Sequence, residues 1–127
     1  MKALIIGGRN QNKLEYAKSN FNFDNYFCGN KDDFSLLKEH HVLYGLNHLI
    51  MRMIKSGFSD NEIKNIIMKY NYDIVISDEI GCAIVSIDKD ERRCVELTGR
   101  ICCKLAEQSE NVIRVICGIP QFIKGKQ

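Results

Sequence analysis

The chain has no large excess of charge of either sign and no long apolar run. Its formal net charge is +2 over 127 residues, and the charged residues are spread along the sequence. This distribution gives no basic patch, so we expect no nucleic-acid partner. No apolar run approaches the roughly 20 residues of a membrane span, and the N-terminus lacks a signal-peptide pattern. We therefore expect neither membrane insertion nor secretion.

The chain has six cysteines but no C-x-x-C motif. The adjacent pair Cys102-Cys103 does not have the spacing of zinc ligands. Several of the other cysteines lie in apolar runs, where the thiol behaves as a small hydrophobic group. The sequence therefore predicts reduced thiols, no metal site and a cytoplasmic location.

Apolar runs of strand length alternate with helical patterns along the chain. Continuous apolar runs predict strands at residues 1–6, 72–77 and 111–117, with a shorter candidate at 25–28. Helical patterns and two capping pairs predict helices at 11–19, 32–39, 59–70 and 88–108. Residues 41–57 fit either a helix or a strand at 41–44 that ends at Gly45. The alternation predicts one α/β domain over residues 1–127, with a mainly parallel sheet flanked by helices.

A glycine-containing loop joins the first predicted strand to the first predicted helix. Residues 7–14 read GGRNQNKL, and the P-loop template is G-x-x-x-x-G-K-[ST]. Gly7 and Lys13 match the template. Asn12 stands at the second glycine, where Asn is among the residues least penalised by a left-handed backbone. Leu14 replaces the hydroxyl residue that binds magnesium.

This loop predicts a phosphate site formed by backbone N–H groups and Lys13 at the start of a helix. The alternative is a plain turn with a surface lysine. A second candidate site follows the strand at 72–77, where Asp78, Glu79 and Gly81 lie at the carboxyl end that binds ligands in open α/β sheets. The candidate nucleotide-binding residues of the loop are Gly7, Gly8, Arg9, Asn10, Gln11, Asn12, Lys13 and Leu14.

Three later segments resemble the bifunctional adenosylcobinamide kinase / adenosylcobinamide-phosphate guanylyltransferases. Residues 73–85 (DIVISDEIGCAIV) resemble the family stretch vivsNEvGxGiVP, and residues 97–106 (LTGRICCKLA) resemble LaGrlNQxlA. Residues 112–124 (VIRVICGIPQFIK) resemble VxlVvaGiPlxlK, and residues 7–13 lie on GGaRSGK. The resemblance implies a P-loop-NTPase-like fold, a trimer, and binding of ATP or GTP with Mg²⁺.

The resemblance also implies two reactions of cobalamin biosynthesis. One phosphorylates adenosylcobinamide, so a corrinoid would be a further ligand, and the other transfers GMP from GTP through a guanylyl-histidine. On this basis Lys13 is a catalytic candidate, and His41 is the candidate guanylyl acceptor, with a surface or strand-edge histidine as the alternative. Glu79, Gly81 and Arg100 join the nucleotide-binding set; for Arg100 the alternative is a surface ion pair with Glu96.

Both magnesium positions of the family are changed in this chain. Leu14 replaces the hydroxyl residue, and Tyr44 stands at the strand-end aspartate of the family stretch llDcLTlW. The sequence therefore leaves three possibilities open. The chain is a diverged enzyme, or a catalytically silent relative that binds nucleotide or a partner protein. The third possibility is a small interaction protein whose vestigial loop binds nothing, with the signature that the loop N–H groups are satisfied internally.

Overall fold

The computed structural model describes residues 1–79 and 88–126, so Gly81 lies outside the described residues. The strands are β1 (Ala3–Gly7), β2 (Phe27–Cys28), β3 (Val42–Tyr44), β4 (Ile74–Asp78), β5 (Asn111–Ile116) and β6 (Ile119–Lys124). The helices are α1 (Lys13–Phe21), α2 (Leu46–Lys55), α3 (Asp60–Lys69) and α4 (Lys89–Gln108), with a 3-10 helix at Phe34–Glu39.

The six strands form one sheet in the order β2-β3-β4-β1-β5-β6. Strands β1 to β5 pair in parallel, and β6 pairs antiparallel with β5. The prediction of an α/β fold with a mainly parallel sheet flanked by helices is confirmed. Because β1 and β4 are neighbours, Gly7 lies opposite Asp78 at the carboxyl edge of the sheet. The loop after β1 therefore meets the end of β4.

Helices cover both faces of the sheet. Successive strand residues point to opposite faces, so each apolar strand contributes to both layers. On one face Leu4 and Val75 pack in the same buried cluster as apolar residues of α2, α3 and α4. On the other face Ile5 and Ile76 pack with Ala17 of α1. Helices α1 and α2 therefore lie on opposite faces of the sheet.

The structure resolves the ambiguous segment at 41–57 and departs from the prediction elsewhere. Strand β3 and helix α2 are both present, and Gly45 between them has a φ of +83°. The predicted helix at 32–39 is a shorter 3-10 helix. The sequence predicts that residues 118–120 end the last strand. Instead Cys117 and Gly118, with φ values of 52° and 78°, turn the chain into β6.

The predicted helix starts at 59 and 88 are confirmed. Ser59 and Glu62 form a reciprocal capping box at α3. The Asp88 side chain accepts hydrogen bonds from the backbone N–H groups of Asp90 and Glu91 at α4. Among the described helices, none combines the length and the apolar character needed to cross a bilayer.

Candidate functional site

A cavity of about 350 Å³ opens at the carboxyl edge of the sheet, where the β1–α1 loop meets β3, β4 and the start of α2. Helices α1 and α2 both begin at this edge, so the positive ends of two helix dipoles face it. The cavity is lined by Arg9, Asn10, Gln11, Asn12, Lys13, Leu14, Glu15, Tyr44, His48 and Asp78. The predicted loop residues from Arg9 to Leu14 therefore share one cavity with Asp78.

Lys13 is buried at this cavity, with only 5% of the residue exposed. Its Nζ lies 2.8 Å from Asp78 Oδ1 and donates a 2.6 Å hydrogen bond to the carbonyl oxygen of Gly8. A buried ammonium group is tolerated only when it is paired and hydrogen-bonded. Lys13 is therefore not the surface lysine of a plain turn, which was the alternative interpretation.

Asp78 contacts Lys13 through one carboxylate oxygen and α2 through the other. Its Oδ2 lies 3.4 Å from Asn47 Nδ2 and 3.5 Å from His48 Nε2. Burial acts to raise the pKa of Asp78, but the hydrogen bond and charge of Lys13, then Asn47 and His48, outweigh it and lower the pKa. Asp78 is therefore an ionised acceptor at neutral pH.

The loop backbone is open to a ligand. Asn10 and Asn12 have φ values of 60° and 64°, so Asn12 adopts the left-handed conformation expected at the second glycine of the template. Within the ranges that the structure describes, no backbone N–H from Arg9 to Leu14 donates to a protein acceptor. Among those residues, the loop therefore lacks the signature of a vestigial loop, in which the N–H groups are satisfied internally.

The loop is attached to the β5–β6 turn. The side-chain oxygen of Gln11 accepts a 2.6 Å hydrogen bond from the Cys117 N–H, and the Gln11 carbonyl oxygen accepts one of 3.0 Å from the Gly118 N–H. Gly7 is required sterically, because a Cβ there would lie 2.5 Å from the Val115 carbonyl oxygen. At Gly8 the nearest atom to such a Cβ is 3.6 Å away, so a side chain fits.

Glu79 lies next to the loop but its carboxylate is occupied. Its backbone N–H donates to the Gly7 carbonyl oxygen at 2.8 Å. Its carboxylate accepts a 3.1 Å hydrogen bond from Arg114 Nη2, and Arg114 Nε lies 3.0 Å from the second oxygen. Sequence reasoning did not identify Arg114 as the partner. Glu79 is also absent from the lining of the cavity.

The structure does not bring Arg100 to the cavity. Arg100 lies in the middle of α4 with its side chain 67% exposed, and it pairs with Glu96. It lines a separate groove of about 340 Å³ between α3 and α4, together with Lys64 and Lys104. The surface ion pair, which was the alternative interpretation of Arg100, is what the structure has.

The structure also separates His41 from Lys13. His41 is exposed and precedes β3, and its carbonyl oxygen accepts a hydrogen bond from the Asp73 N–H at 2.8 Å. Tyr44, at the other end of β3, lines the cavity. Three residues of a strand span about 10 Å, so His41 lies at the opposite edge of the sheet. Its role as a guanylyl acceptor stays a prediction without a contact to support it.

The residues present do not fit the magnesium ion that the family resemblance implies. Leu14 packs against the apolar cluster on the α1 face, and Tyr44 packs edge-on against Tyr26 with ring centroids 5.8 Å apart. Burial, followed by the nearby Asp78 charge, raises the pKa of Tyr44, so its phenol stays neutral. Over residues 1–79 and 88–126, no three His, Cys, Asp or Glu side chains come together as a metal site.

Two residues at the cavity edge, Asn47 and His48, were missed by sequence reasoning. They lie in the first turn of α2, directly after the carboxyl end of β3. Asn47 is buried, with 6% exposure, and its backbone carbonyl oxygen is 3.4 Å from Cys94 Sγ. A polar pair at the end of a short strand was the available signal, since ligands bind at strand carboxyl ends.

Comparison with known proteins gives no family assignment. No protein-family model matches the chain, and no curated protein matches it. The function is therefore inferred from the geometry of this cavity and from the sequence segments that carry the resemblance.

Proposed function

We propose that the chain binds the phosphates of ATP or GTP at the β1–α1 loop, within a P-loop-NTPase-like fold. The observation that carries the proposal is Lys13, which is buried against Asp78 in a cavity bordered by the loop. The N–H groups of that loop from Arg9 to Leu14 have no acceptor among the described residues. Free N–H groups at a helix start, together with a lysine, are the elements of a phosphate site.

Lys13 is held in position before any ligand arrives. Two of its three N–H donors are used by Asp78 and by the Gly8 carbonyl oxygen, and the third has no acceptor among residues 1–79 and 88–126. Because the side chain is already ordered, binding costs less conformational entropy than it would for a mobile surface lysine. This preorganisation supports the proposed phosphate site.

The family resemblance extends the proposal to an activity. The chain would be a diverged adenosylcobinamide kinase / adenosylcobinamide-phosphate guanylyltransferase of cobalamin biosynthesis. A corrinoid ligand, a trimer and a cytoplasmic location are expectations of the same interpretation. Because Leu14 and Tyr44 offer no suitable metal ligands, the proposed activity includes no step through a metal ion held by the cavity residues.

A second candidate function is a catalytically silent relative that binds nucleotide without turnover. The specific observation in its favour is the replacement of both magnesium ligands by side chains that pack, Leu14 and Tyr44. Phosphoryl transfer depends mainly on positioning and charge neutralisation, so losing the metal ligands would raise the barrier. Each 1.36 kcal/mol of barrier is a factor of about ten in rate.

The proposal is tested by titrating ATP and GTP into the purified protein by calorimetry, with Mg²⁺ and separately with EDTA. We expect binding that weakens at least about tenfold in Lys13→Ala, because a charged hydrogen bond to phosphate is lost. Lys55→Ala is the matched control, since it removes an exposed lysine at the end of α2. It should leave the affinity unchanged.

Lys13→Ala leaves Asp78 without its cation, so the double variant Lys13→Met with Asp78→Asn checks that weaker binding is not caused by unfolding. Absence of ATP and GTP binding by the unchanged protein, or undiminished binding by both Lys13 variants, would refute the proposal. Where binding is found, an assay of phosphate transfer to adenosylcobinamide separates the two candidates. Turnover supports the enzyme, and binding without turnover supports the silent relative.

A further inference from the structure

We propose that protonated His48 supplies the positive charge that a metal ion would otherwise bring to the bound phosphates. Polyphosphate binding would then take up a proton and need no divalent cation. This inference rests on the proposed function, because it concerns the same cavity.

His48 is positioned to contact a ligand in the cavity. It lies in the first turn of α2 and lines the cavity with Lys13 and Arg9. Its side chain is 39% exposed, so one part of the ring is packed while another is open. The ring lies beside Gly45, where a Cβ would be 3.4 Å from His48 Cδ2. The backbone before α2 therefore limits where the ring can go.

The two ring nitrogens of His48 have different surroundings. Nε2 lies 3.5 Å from Asp78 Oδ2, and an ionised carboxylate can accept hydrogen bonds but not donate them. A proton on Nε2 is therefore favoured, which leaves a lone pair on Nδ1 in the neutral ring. Nδ1 makes no hydrogen bond to another described residue. The neutral ring would repel a phosphate oxygen at Nδ1, whereas the charged ring donates an N–H there.

The formal charges around the cavity explain why this proton matters. Arg9 and Lys13 contribute two positive charges, and Glu15 and Asp78 contribute two negative charges, while Tyr44 is neutral. Within the described part of the chain, these are the titratable and charged groups that line the cavity with His48. Their formal charges cancel, so a polyphosphate would enter a cavity with no net formal charge. Protonation of His48 makes the cavity positive.

The alternative source of positive charge is weak in this chain. A magnesium ion bound to the phosphates would find Leu14 and Tyr44 where the family has its ligands, and Asp78 is already paired with Lys13. Histidine is the side chain whose charge ordinarily changes between about pH 5 and pH 8. A polyphosphate bound beside the His48 ring would favour the charged form of that ring.

The test is calorimetric titration of inorganic triphosphate in EDTA at about pH 6 and about pH 8. At an intermediate pH, two buffers of different ionisation enthalpy report the protons taken up on binding. We expect the unchanged protein to take up more protons than His48→Gln. We also expect the ratio of its affinity to that of His48→Gln to be about tenfold larger at the lower pH. Taking this ratio removes the titration of the triphosphate itself.

His40→Gln is the control for loss of a histidine, because His40 lies at the end of the 3-10 helix, outside the cavity lining. Its proton uptake and affinity should match the unchanged protein. Thermal denaturation of each variant confirms that it is folded at both pH values.

The outcomes separate this inference from the proposed function. If triphosphate, ATP and GTP all fail to bind at either pH, the proposed function itself fails. If binding depends on Lys13 but His48→Gln keeps the proton uptake and pH profile, only the inference on His48 is overturned. Binding that EDTA abolishes and Mg²⁺ restores would also overturn it. So would a pH dependence lost in His41→Gln rather than in His48→Gln.

Discussion

Two basic side chains have different surroundings, one at the carboxyl edge of the sheet and the other on the outer face of α4. In the sequence, Lys13 and Arg100 are both candidates for contact with phosphate. Lys13 is 5% exposed and is held by Asp78 from a neighbouring strand, whereas the Arg100 side chain is 67% exposed and is held by Glu96 of its own helix. A cation at a strand end converges with groups from other strands. A cation in mid-helix finds its nearest partner one turn away.

The two regions also differ in the range of their contacts along the chain. The contacts at the sheet edge join residues far apart in the chain, such as Lys13 with Asp78 and Gln11 with Cys117. These contacts fix the geometry of a cavity. The Arg100–Glu96 pair is local and exposed, so solvent screens it and it contributes little to stability.

The largest loss of stability should come from adding a methyl group at Gly7, next to the aliphatic part of the Lys13 side chain. In Gly7→Ala the new Cβ would lie 2.5 Å from the Val115 carbonyl oxygen and 3.2 Å from Lys13 Cδ. Overpacking of this kind costs about 1–3 kcal/mol, and a backbone oxygen moves less readily than a side chain. We expect the free energy of unfolding to fall by about 2–3 kcal/mol in urea denaturation.

Gly8→Ala is the matched control for that measurement, because its nearest neighbour would be 3.6 Å away. It should change the unfolding free energy by less than about 0.5 kcal/mol. Equal losses in the two variants would mean that the close approach at Gly7 does not constrain the loop.

An intermediate loss of stability should appear when Asp78 is protonated. Its pKa is lowered in the folded state, so the stability it provides is complete above its ordinary value of 3.8 and is lost as the pH falls through the folded-state pKa. Asp78→Asn should therefore be less stable than the unchanged protein at neutral pH, and the difference should shrink in acid. Urea denaturation at several pH values measures it.

Asp24→Asn provides the comparison for this pH series, since Asp24 is an exposed carboxylate outside the cavity. Its stability difference from the unchanged protein should stay near zero throughout. A difference for Asp78→Asn that is constant with pH would contradict an ionised Asp78 paired with Lys13.

The smallest loss of stability should come from substituting Arg100. Arg100→Ala removes an exposed i, i+4 pair, which stabilises a helix by about 0.3–0.5 kcal/mol. We expect a loss of that size in the unfolding free energy. If Arg100→Ala also weakened ATP binding as much as Lys13→Ala, the two regions would share one ligand and the contrast between them would fail.

Much of the fold could be predicted because its signals are local. The apolar runs at β1, β4 and β5 and the capping groups of α3 and α4 mark elements that neighbouring residues specify. Strand β6 was missed, because Ile119 and Ile123 are 68% and 60% exposed and carry no burial pattern. The turn before it uses Cys117 with a positive φ, where Asn or Gly is the usual signal.

The candidate site could be predicted only in part. The sequence by itself determined the loop after β1, its lysine and the left-handed position of Asn12, since these follow from strand, turn and helix signals along one short segment. Only the tertiary structure decided which side chains meet Lys13. Placing β3, β4 and β1 side by side brings Asp78, Asn47 and His48 to one edge and leaves His41 at the other. That strand order depends on long-range packing of the apolar faces, which short sequence patterns do not encode.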